Sequence, residues 1–309
     1  MKVGVIGTGA MGTNHVRIYA DLRGVDEVFV YDSDPEKVGR LPQAIATPCP
    51  SLSDLLKRVD AVSICTPTPT HLETTLTVIE AGIHCLIEKP IAANVTQAYA
   101  LLNAIEASSV TIGVGHIERF NPIVSEISKL ISKPTLISIE RLNPSSGRIK
   151  DTPIVEDLMI HDIDVVLHAI LRRPHTSIAG TNNMNQCVAL LQFAPTTTNM
   201  PTTTVVLTAS RLANKKIRSI YIEDENYTLI GDYMSQELYT YSKPERFKYL
   251  DNRYTQENII EKIQVNKVEP LREELKAFIT AAAHGTPFIV TPEQAARNLE
   301  LCHQISSLP

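Results

Sequence analysis

Three groups of residues in this chain have types and spacings that suit redox chemistry at an alcohol. They are the glycine-rich segment 7–12, the tripeptide Glu88-Lys89-Pro90, and the pair Asp157 and His161. Oxidation of a secondary alcohol requires a bound hydride acceptor, a base for the hydroxyl proton, and a donor or cation that holds the oxygen as negative charge develops. The three groups offer a nucleotide-binding loop, an ammonium group, and an imidazole near a carboxylate.

The glycine-rich segment reads Gly7-Thr8-Gly9-Ala10-Met11-Gly12, which is the pattern G-x-G-x-x-G, directly after an apolar run at 3–6. In a dinucleotide-binding loop the first glycine permits the tight turn, the second lets the backbone approach the pyrophosphate, and the third lets the helix pack closely on the strand. The alternative is a glycine-rich turn without a ligand. Because the segment follows the first strand and opens a helix, the sequence favours a dinucleotide site.

An acidic residue stands where such a site needs one. Asp32 ends the second apolar run, 20 residues after Gly12. A carboxylate there accepts hydrogen bonds from the adenosine ribose hydroxyls and repels a 2′-phosphate, so NAD is favoured over NADP. Asp34 and Lys37 lie close by and weaken that preference, and the alternative for Asp32 is a turn or helix-capping aspartate.

Asp157 and His161 are four residues apart on a predicted helix and therefore share a face. An imidazole has the ordinary pKa of a base that works near neutral pH, and the carboxylate can bind a substrate hydroxyl or orient the imidazole. The alternatives are a structural histidine or half of a metal site. No third ligand clusters with the pair in the sequence, so we predict no metal.

The elements around these residues predict two domains. Short runs rich in Val and Ile alternate with amphipathic segments in the first third; the runs lie at 3–6, 28–31, 61–65, 84–87 and 110–114. This alternation predicts an α/β Rossmann domain with a doubly wound parallel sheet, which we place at residues 1–117. Thr70 with Glu73 has capping-box spacing, and Asn94 is a candidate cap for the helix that follows.

The rest of the chain, 118–309, reads as an α+β domain. Strand-like runs at 135–141, 176–180, 186–193, 203–211 and 216–223 follow one another with a single helix near 156–171 among them. Such an order predicts a mostly antiparallel, open sheet. We assign this domain to substrate binding and oligomerisation. Two helices are predicted to close the chain, the last after Thr291.

The composition excludes several classes of protein. The net charge of −5 argues against a nucleic-acid binder, and no apolar run reaches the length of a membrane span. The five cysteines are dispersed and form no C-x-x-C pair, which is typical of free thiols in a reducing compartment. We expect a cytoplasmic protein without membrane partners.

At Glu88-Lys89-Pro90 the sequence resembles the Gfo/Idh/MocA oxidoreductases, and this resemblance covers most of the chain, through at least the helix at His161. The resemblance implies that Lys89 is the catalytic lysine and that Glu88 helps to place the nicotinamide ribose. It also implies that the segment 66–71 is the cofactor loop after the third parallel strand, with Thr66, Pro67 and His71 near the cofactor. The D-x-x-x-H motif of the family matches Asp157 and His161, which implies roles in catalysis and substrate binding for both.

Segment 115–122 (Gly-His-Ile-Glu-Arg-Phe-Asn-Pro) is similar to family members that oxidise UDP-N-acetylglucosamine, or its uronic acid, at the sugar 3-hydroxyl. The later residues Arg141, Pro144, Arg148, Asp151, Asp157 and the run 161–164 share that similarity. It implies a UDP-linked sugar substrate, with Arg119, Asn121 and Arg148 as candidate ligands of the diphosphate. Surface or interdomain salt bridges are the alternative role for these three residues.

Two other functions remain open. One is a dehydrogenase of free inositol or another free sugar, and the other is a catalytically silent regulator that binds the cofactor. A regulator has no need to retain Lys89, Asp157 and His161 together, so an enzyme is favoured. The base is either His161 or a neutral Lys89, since burial beside a nicotinium charge can depress the pKa of a lysine. The resemblance also implies a homodimer or homotetramer built on the open face of the C-terminal sheet.

Overall fold

The chain folds into two compact units. The first comprises Met1–Phe120 with Glu269–Glu300, and the second comprises Asn121–Val268 with Leu301–Pro309. These units differ from the predicted domains in two respects, because residues 269–300 pack with the first unit and the boundary falls after Phe120 instead of after residue 117. The structure, a computed structural model, describes residues 1–42, 44–144, 152–243, 247–250 (backbone only) and 253–309.

The first unit is built on a six-stranded sheet in the order β3-β2-β1-β4-β5-β6, with every pairing parallel. The strands are β1 (Lys2–Ile6), β2 (Glu27–Tyr31), β3 (Thr47–Pro48), β4 (Ala61–Ile64), β5 (His84–Glu88) and β6 (Ile112–Gly115). Most residues of β1, β4, β5 and β6 are buried, as expected for parallel strands covered on both faces. The prediction of a Rossmann-type sheet is confirmed.

Helices connect the strands of the first unit. They are α1 (Ala10–Tyr19), α2 (Pro35–Gly39), α3 (Leu52–Leu56), α4 (His71–Glu80) and α5 (Val95–Glu106). Asn94 caps α5 as predicted, because its side chain accepts a hydrogen bond from the Gln97 amide at 2.9 Å. The two final helices are α8 (Pro270–His284) and α9 (Pro292–Ser306), and α9 passes from the first unit into the second at residue 300. Leu275 and Phe278 of α8 are fully buried in the core of the first unit.

The second unit contains an eight-stranded sheet in the order β16-β13-β12-β11-β7-β10-β9-β8. All neighbours are antiparallel except β7 and β10, so the predicted mostly antiparallel sheet is confirmed. The strands are β7 (Leu136–Leu142), β8 (Ser177–Asn182), β9 (Gln186–Phe193), β10 (Thr203–Ser210), β11 (Ile217–Glu223), β12 (Tyr227–Asp232), β13 (Glu237–Ser242) and β16 (Ile260–Ile263). Two further strands, β14 (Phe247–Leu250) and β15 (Arg253–Gln256), pair with each other.

Helical segments cover one face of this sheet's core. Helix α6 (Pro122–Leu130) precedes β7, and α7 (Ile160–Asp164) lies between two π-helical segments, Val155–Met159 and Val165–Ile170. Their apolar side chains join the alternating inward residues of the strands in a single buried cluster. Among the helices of the described ranges, none has the length and apolar character required to cross a bilayer.

Candidate active site

The predicted cofactor residues of the first unit lie at one edge of its parallel sheet. The glycine-rich loop follows β1, Asp32 follows β2, Thr66 follows β4, and Lys89 follows β5. The carboxyl ends of parallel strands meet at the same edge, and the order reverses between β1 and β4, where doubly wound sheets bind their ligands. The fold therefore gathers these side chains on one edge of one sheet.

Side chains at two glycines of the glycine-rich loop would clash with neighbouring backbone atoms. Gly7 has φ +90°, and a Cβ there would lie 2.8 Å from the carbonyl group of Cys65. A Cβ on Gly12 would lie 1.9 Å from the Gly7 oxygen, whereas a Cβ on Gly9 would meet nothing within 4 Å. Gly9 is also the N-cap of α1 and supplies no side-chain cap. The loop therefore fits a pyrophosphate approaching Gly9 and the first-turn amides of α1.

The carboxylate of Asp32 holds the loop in place. One oxygen accepts hydrogen bonds from the Thr8 amide at 2.7 Å and the Thr8 hydroxyl at 3.1 Å. The other accepts from the Asp34 amide at 2.9 Å, and Lys37 Nζ lies 4.0 Å away. Burial alone raises the pKa of Asp32, but these donors and Lys37 together lower it below its ordinary value. Asp32 thus presents a fixed negative charge at the end of β2.

His71 contacts the backbone of two segments, the one after β4 and the one after β5. The two ring nitrogens, Nδ1 and Nε2, each lie 2.9 Å from a carbonyl oxygen, of Pro90 and Thr66 respectively. The predicted capping box of Thr70 with Glu73 is wrong, because the Thr70 hydroxyl donates to the Pro67 carbonyl within a 3₁₀ turn instead of capping α4. His71 is 1% exposed, and burial lowers its pKa despite the two carbonyl contacts.

The Glu88-Lys89-Pro90 segment ends β5 with a buried acid and a half-buried lysine. His15 Nε2 lies 2.9 Å from one Glu88 carboxylate oxygen, and the other accepts a hydrogen bond of 3.3 Å from the Lys89 amide. The Lys89–Pro90 peptide bond is cis. Burial raises the pKa of Glu88, but the hydrogen bond and charge of His15, with Lys89, bring it below its ordinary value. The carboxylate is therefore ionised near neutral pH.

Two of the three candidate diphosphate ligands are described, and both have protein partners. Arg119 donates to the Gln294 side chain at 3.1 Å. Asn121 donates to the Tyr233 carbonyl at 3.0 Å and accepts from the Ile123 amide at 3.4 Å, which makes it the cap of α6. Their roles in substrate binding stay predictions. Arg148 lies outside the described residues.

In the second unit, Asp157 is held by an arginine that the sequence did not single out. Arg211 lies at the end of β10 and donates to the Asp157 carboxylate at 2.8 Å and to the Thr152 carbonyl at 2.9 Å. The side chains of Arg211 and Asp157 are 9% and 16% exposed. His161 is half-buried and begins the next turn of the same helical segment. Asp157 lies in a π-helical segment and His161 in α7, so the predicted common face of the two side chains stays a prediction.

The residue after His161 anchors that helix to the sheet. Asp162 accepts a forked set of hydrogen bonds from Arg141 of β7, from Nε at 2.9 and 3.1 Å and from a terminal nitrogen at 2.7 Å. Both side chains are 2% exposed, and the guanidinium lies 5.8 Å from the centre of the Tyr233 ring. A bidentate pair of this kind fixes orientation as well as charge.

A possible metal-ligand set lies among the described residues of the first unit. Ligand atoms of His15, Cys65 and Glu88 are all within 4.8 Å of one another. His15 and Glu88 bond directly to each other, and burial, with the charges of Glu88 and Glu274, raises the pKa of the Cys65 thiol well above its ordinary value. The direct contact between His15 and Glu88 uses one ring nitrogen and one carboxylate oxygen of this set, which fits a hydrogen-bonded pair.

Sequence reasoning missed two partners of the candidate residues, His15 in the first unit and Arg211 in the second. His15 is 73 residues from Glu88, and Arg211 is 54 residues from Asp157. No spacing rule predicts pairs that distant. The only signal was local: His15 falls on the first turns of the helix that the glycine loop opens, and Arg211 follows directly after a strand.

Comparison with known proteins agrees with this architecture. Residues 1–116 match the model of the Gfo/Idh/MocA oxidoreductase family, described as an NAD-binding Rossmann fold. UDP-N-acetylglucosamine 3-dehydrogenase of Acidithiobacillus ferrooxidans is 36% identical over 169 residues, which is 54% of this chain and 53% of that protein. Inositol 2-dehydrogenase of Paracoccus denitrificans is 30% identical over 178 residues, again 54% and 53% of the two chains. In these matches the chain spans about half the length of the curated relatives.

Solved structures extend the likeness to the whole chain. A structure of UDP-N-acetylglucosamine 3-dehydrogenase from Acidithiobacillus ferrooxidans superposes with a TM-score of 0.86 at 27% identity, covering 99% of this chain and 96% of that one. A levoglucosan dehydrogenase in complex with NADH shares the fold, with a TM-score of 0.78 at 17% identity over 99% and 95%. Residues 1–116 are thus similar to the NAD-binding Rossmann domain of the Gfo/Idh/MocA oxidoreductases, and the likeness in fold extends over 99% of the chain.

Proposed function

We propose that this protein is an NAD-dependent dehydrogenase that oxidises the 3-hydroxyl of a UDP-linked N-acetylated amino sugar. The observation that carries the proposal is the likeness to a UDP-N-acetylglucosamine 3-dehydrogenase along 99% of the chain, at 27% identity. The higher identity of 36% over 169 residues in the sequence match supports it. The substrate class therefore rests on likeness, and the chemistry rests on the residues at the ends of β5 and in α7.

Lys89 is proposed to hold the substrate oxygen. It follows the carboxyl end of β5, at the edge that carries the glycine-rich loop. When bound there, NAD supplies the hydride acceptor. An ammonium group at Lys89 stabilises the developing alkoxide, and removal of such a donor typically costs about a hundredfold to a thousandfold in kcat. We expect Lys89→Met to lose activity on that scale while NAD still binds. Near-normal activity would reject this role and favour a regulator.

His161 is proposed as the base, with Asp157 as its neighbour on the preceding turn. The Arg211 ion pair offsets the charge of Asp157 and fixes its carboxylate. If His161 accepts the proton, kcat/KM for oxidation falls as the pH drops through its pKa, because imidazolium cannot accept a proton. His161→Asn should then lower the rate and flatten the acid limb. An unchanged acid limb in this variant would assign the base to Lys89 instead.

NAD is proposed as the cofactor in preference to NADP. The fixed carboxylate of Asp32 would repel a 2′-phosphate, although Lys37 lies 4.0 Å from it. We expect NAD to bind more tightly, and Asp32→Ser to narrow the gap between the two cofactors. Because Asp32 also holds Thr8, this variant should weaken both cofactors to some degree. Equal or tighter binding of NADP by the unmodified protein would contradict the proposal.

The substrate is tested by a panel of sugars. Purified protein with NAD is offered UDP-N-acetylglucosamine, its uronic acid and free inositol, and nicotinamide reduction is followed by absorbance. We expect turnover of a UDP-sugar and competition by UDP. Arg119→Ala should raise KM more than it lowers kcat, because a remote diphosphate contact binds ground state and transition state alike.

Free inositol is the second candidate substrate. Several inositol 2-dehydrogenases match the chain at about the same coverage, among them that of Paracoccus denitrificans at 30% identity. Turnover of inositol without competition by UDP would select this function. The two outcomes differ in the effect of UDP, so one assay separates them.

Self-association through the open face of the eight-stranded sheet is proposed as well. Leu190 and Ile230 on this face are 37% and 40% exposed. A registered row crosses six strands on that face, through Leu190, Val206, Ser138, Tyr221, Ile230 and Tyr239. Apolar rows on an exposed sheet favour association with a like surface. We expect light scattering to give a dimer or tetramer, and Ile230→Glu to shift it towards the monomer.

A further inference from the structure

Two buried histidines contact the residues on either side of Lys89. His15 Nε2 lies 2.9 Å from the Glu88 carboxylate, and His71 Nδ1 lies 2.9 Å from the Pro90 carbonyl oxygen. His15 and His71 are 0% and 1% exposed. Lys89 therefore lies between two residues, Glu88 and Pro90, that each contact a histidine from another element.

The contact of His15 ties Lys89 to the helix that the glycine-rich loop opens. His15 is the sixth residue of α1, and its partner Glu88 accepts the Lys89 amide with its second carboxylate oxygen. Gly115 on the neighbouring strand leaves room for this carboxylate, because a Cβ there would lie 3.2 Å from its nearer oxygen. A buried carboxylate is stable only with such donors. Through Glu88 and His15, Lys89 is thus linked to α1, the same helix whose first-turn amides are proposed to bind the phosphates.

The contact of His71 ties Lys89 to the loop after β4. Its Nε2 reaches the Thr66 carbonyl oxygen while its Nδ1 reaches that of Pro90, and β4 and β5 are neighbours in the sheet. A neutral imidazole carries one N–H and donates to one of the two oxygens at a time. The ring lies between the two loops whichever nitrogen carries the proton, so it limits how closely they can approach each other.

We propose that His15 and His71 are positioning residues that set the placement of Lys89 relative to the glycine-rich loop. The inference rests on the proposed role of Lys89 in catalysis. Neither imidazole is required to touch substrate. A misplacement of about 1 Å at a reacting group can cost on the order of a hundredfold in rate, so small shifts of this segment matter. The expected signature is a loss of kcat with little change in NAD affinity.

The test uses variants that keep or remove one contact at a time. A glutamine amide reaches about as far as Nε2, and an asparagine amide about as far as Nδ1. We expect His15→Gln to retain most of kcat and His15→Leu to lose about tenfold to a hundredfold, since only glutamine can still donate to Glu88. His71→Asn, which keeps the Pro90 contact, should retain more kcat than His71→Gln, which keeps the Thr66 contact. A merely structural role would not produce this order.

His84→Asn serves as the matched control. Its imidazole lies on β5, and Nδ1 accepts the Thr111 amide at 2.8 Å, away from Lys89. Because the asparagine amide oxygen can still accept from the Thr111 amide, we expect little change in thermal stability or in kcat. Turnover is measured with NAD and UDP-N-acetylglucosamine, and with that sugar deuterated at C3. The deuterium isotope effect on kcat should rise in His15→Leu and His71→Gln, because hydride removal becomes more fully rate-limiting.

A second readout requires no substrate. Amide hydrogen exchange at Lys89, followed by mass spectrometry with fragmentation, should speed up in His15→Leu and His71→Gln but not in His84→Asn. If the unmodified protein oxidises no sugar, the proposed function fails while the exchange measurement still decides the positioning. Unchanged exchange at Lys89, or equal kcat losses in all five variants, would overturn the inference.

Discussion

The buried pair of Arg141 and Asp162 permits a quantitative prediction. Three hydrogen bonds of 2.7 to 3.1 Å join the two side chains, and each is 2% exposed. Asp162→Asn keeps the shape of the side chain but removes the negative charge that Asp162 places against the buried guanidinium. Removal of one partner of a buried pair typically costs about 3–5 kcal/mol of unfolding free energy. We expect a loss of that size in the second unit.

The loss is measurable as a shift in thermal unfolding. For a unit of this size, each kcal/mol moves Tm by about 2–4 °C, so Asp162→Asn should lower the transition of the second unit by about 6–20 °C. Differential scanning calorimetry resolves this shift, and urea titration checks it at constant temperature. Because Asp162 follows His161 directly, the same variant should also lower kcat at temperatures where the protein is still folded.

Two comparisons decide whether the reasoning holds. Glu237→Gln breaks the ion pair of Glu237 with Lys262, whose side chains are 32% and 56% exposed, so Tm should hardly change. Combining Arg141→Met with Asp162→Leu removes both charges and should recover most of the lost stability. If Asp162→Asn behaves like the exposed control, the pair does not hold the helix and the argument is refuted.

Three further predictions follow from the first unit. Gly12→Ala should abolish NAD binding, because its Cβ would lie 1.9 Å from the Gly7 oxygen. Gly9→Ala should fold normally, because its Cβ would meet no protein atom within 4 Å, but it should weaken NAD binding by obstructing the pyrophosphate. Calorimetric titration with NAD measures the affinity of both variants, and melting curves check their folding. Because burial lowers the pKa of His71 in the folded protein, the unfolded chain takes up the proton at higher pH. The unfolding free energy should therefore fall as the pH drops below about 6.5. His71→Asn should reduce this dependence of the unfolding free energy on pH, as measured by urea titration. Burial raises the pKa of the Cys85 thiol to about 12, so at pH 8 only roughly one ten-thousandth is thiolate, and a maleimide should label it only after unfolding.

The parallel half of the fold was predictable because its signals are local. Nearly uniformly apolar runs of four or five residues predicted β1, β4 and β5, and Asn94 was predicted as the cap of α5 that the structure shows. The packing of α8 in the first unit was not predictable. An amphipathic pattern indicates which face of a helix is buried, not the surface that covers it, and Leu275 and Phe278 would have suited either core.

The site was predictable where a motif combines several residues at fixed spacing. The glycine-rich loop, Asp32 and Lys89 all lie at the carboxyl edge of the sheet. The sequence could not predict that Asp32 bonds to Thr8, because both residues have other uses and only the parallel pairing of β1 with β2 brings them together. The same holds for Thr70, whose hydroxyl lies 2.9 Å from both the Pro67 carbonyl oxygen and the Thr66 hydroxyl and makes no cap hydrogen bond to α4.

The division of the first unit between the two ends of the chain bears on how the protein folds during synthesis. A ribosome makes residues 1–120 early, but their core also requires α8, and residues 121–268 of the second unit emerge in between. The surface that Leu275 and Phe278 will cover therefore stays exposed until most of the chain has been made. Nascent domains generally fold from the N-terminus, so this unit should complete late and need protection from aggregation. A fragment ending at residue 120 should for the same reason be a poor stand-alone domain.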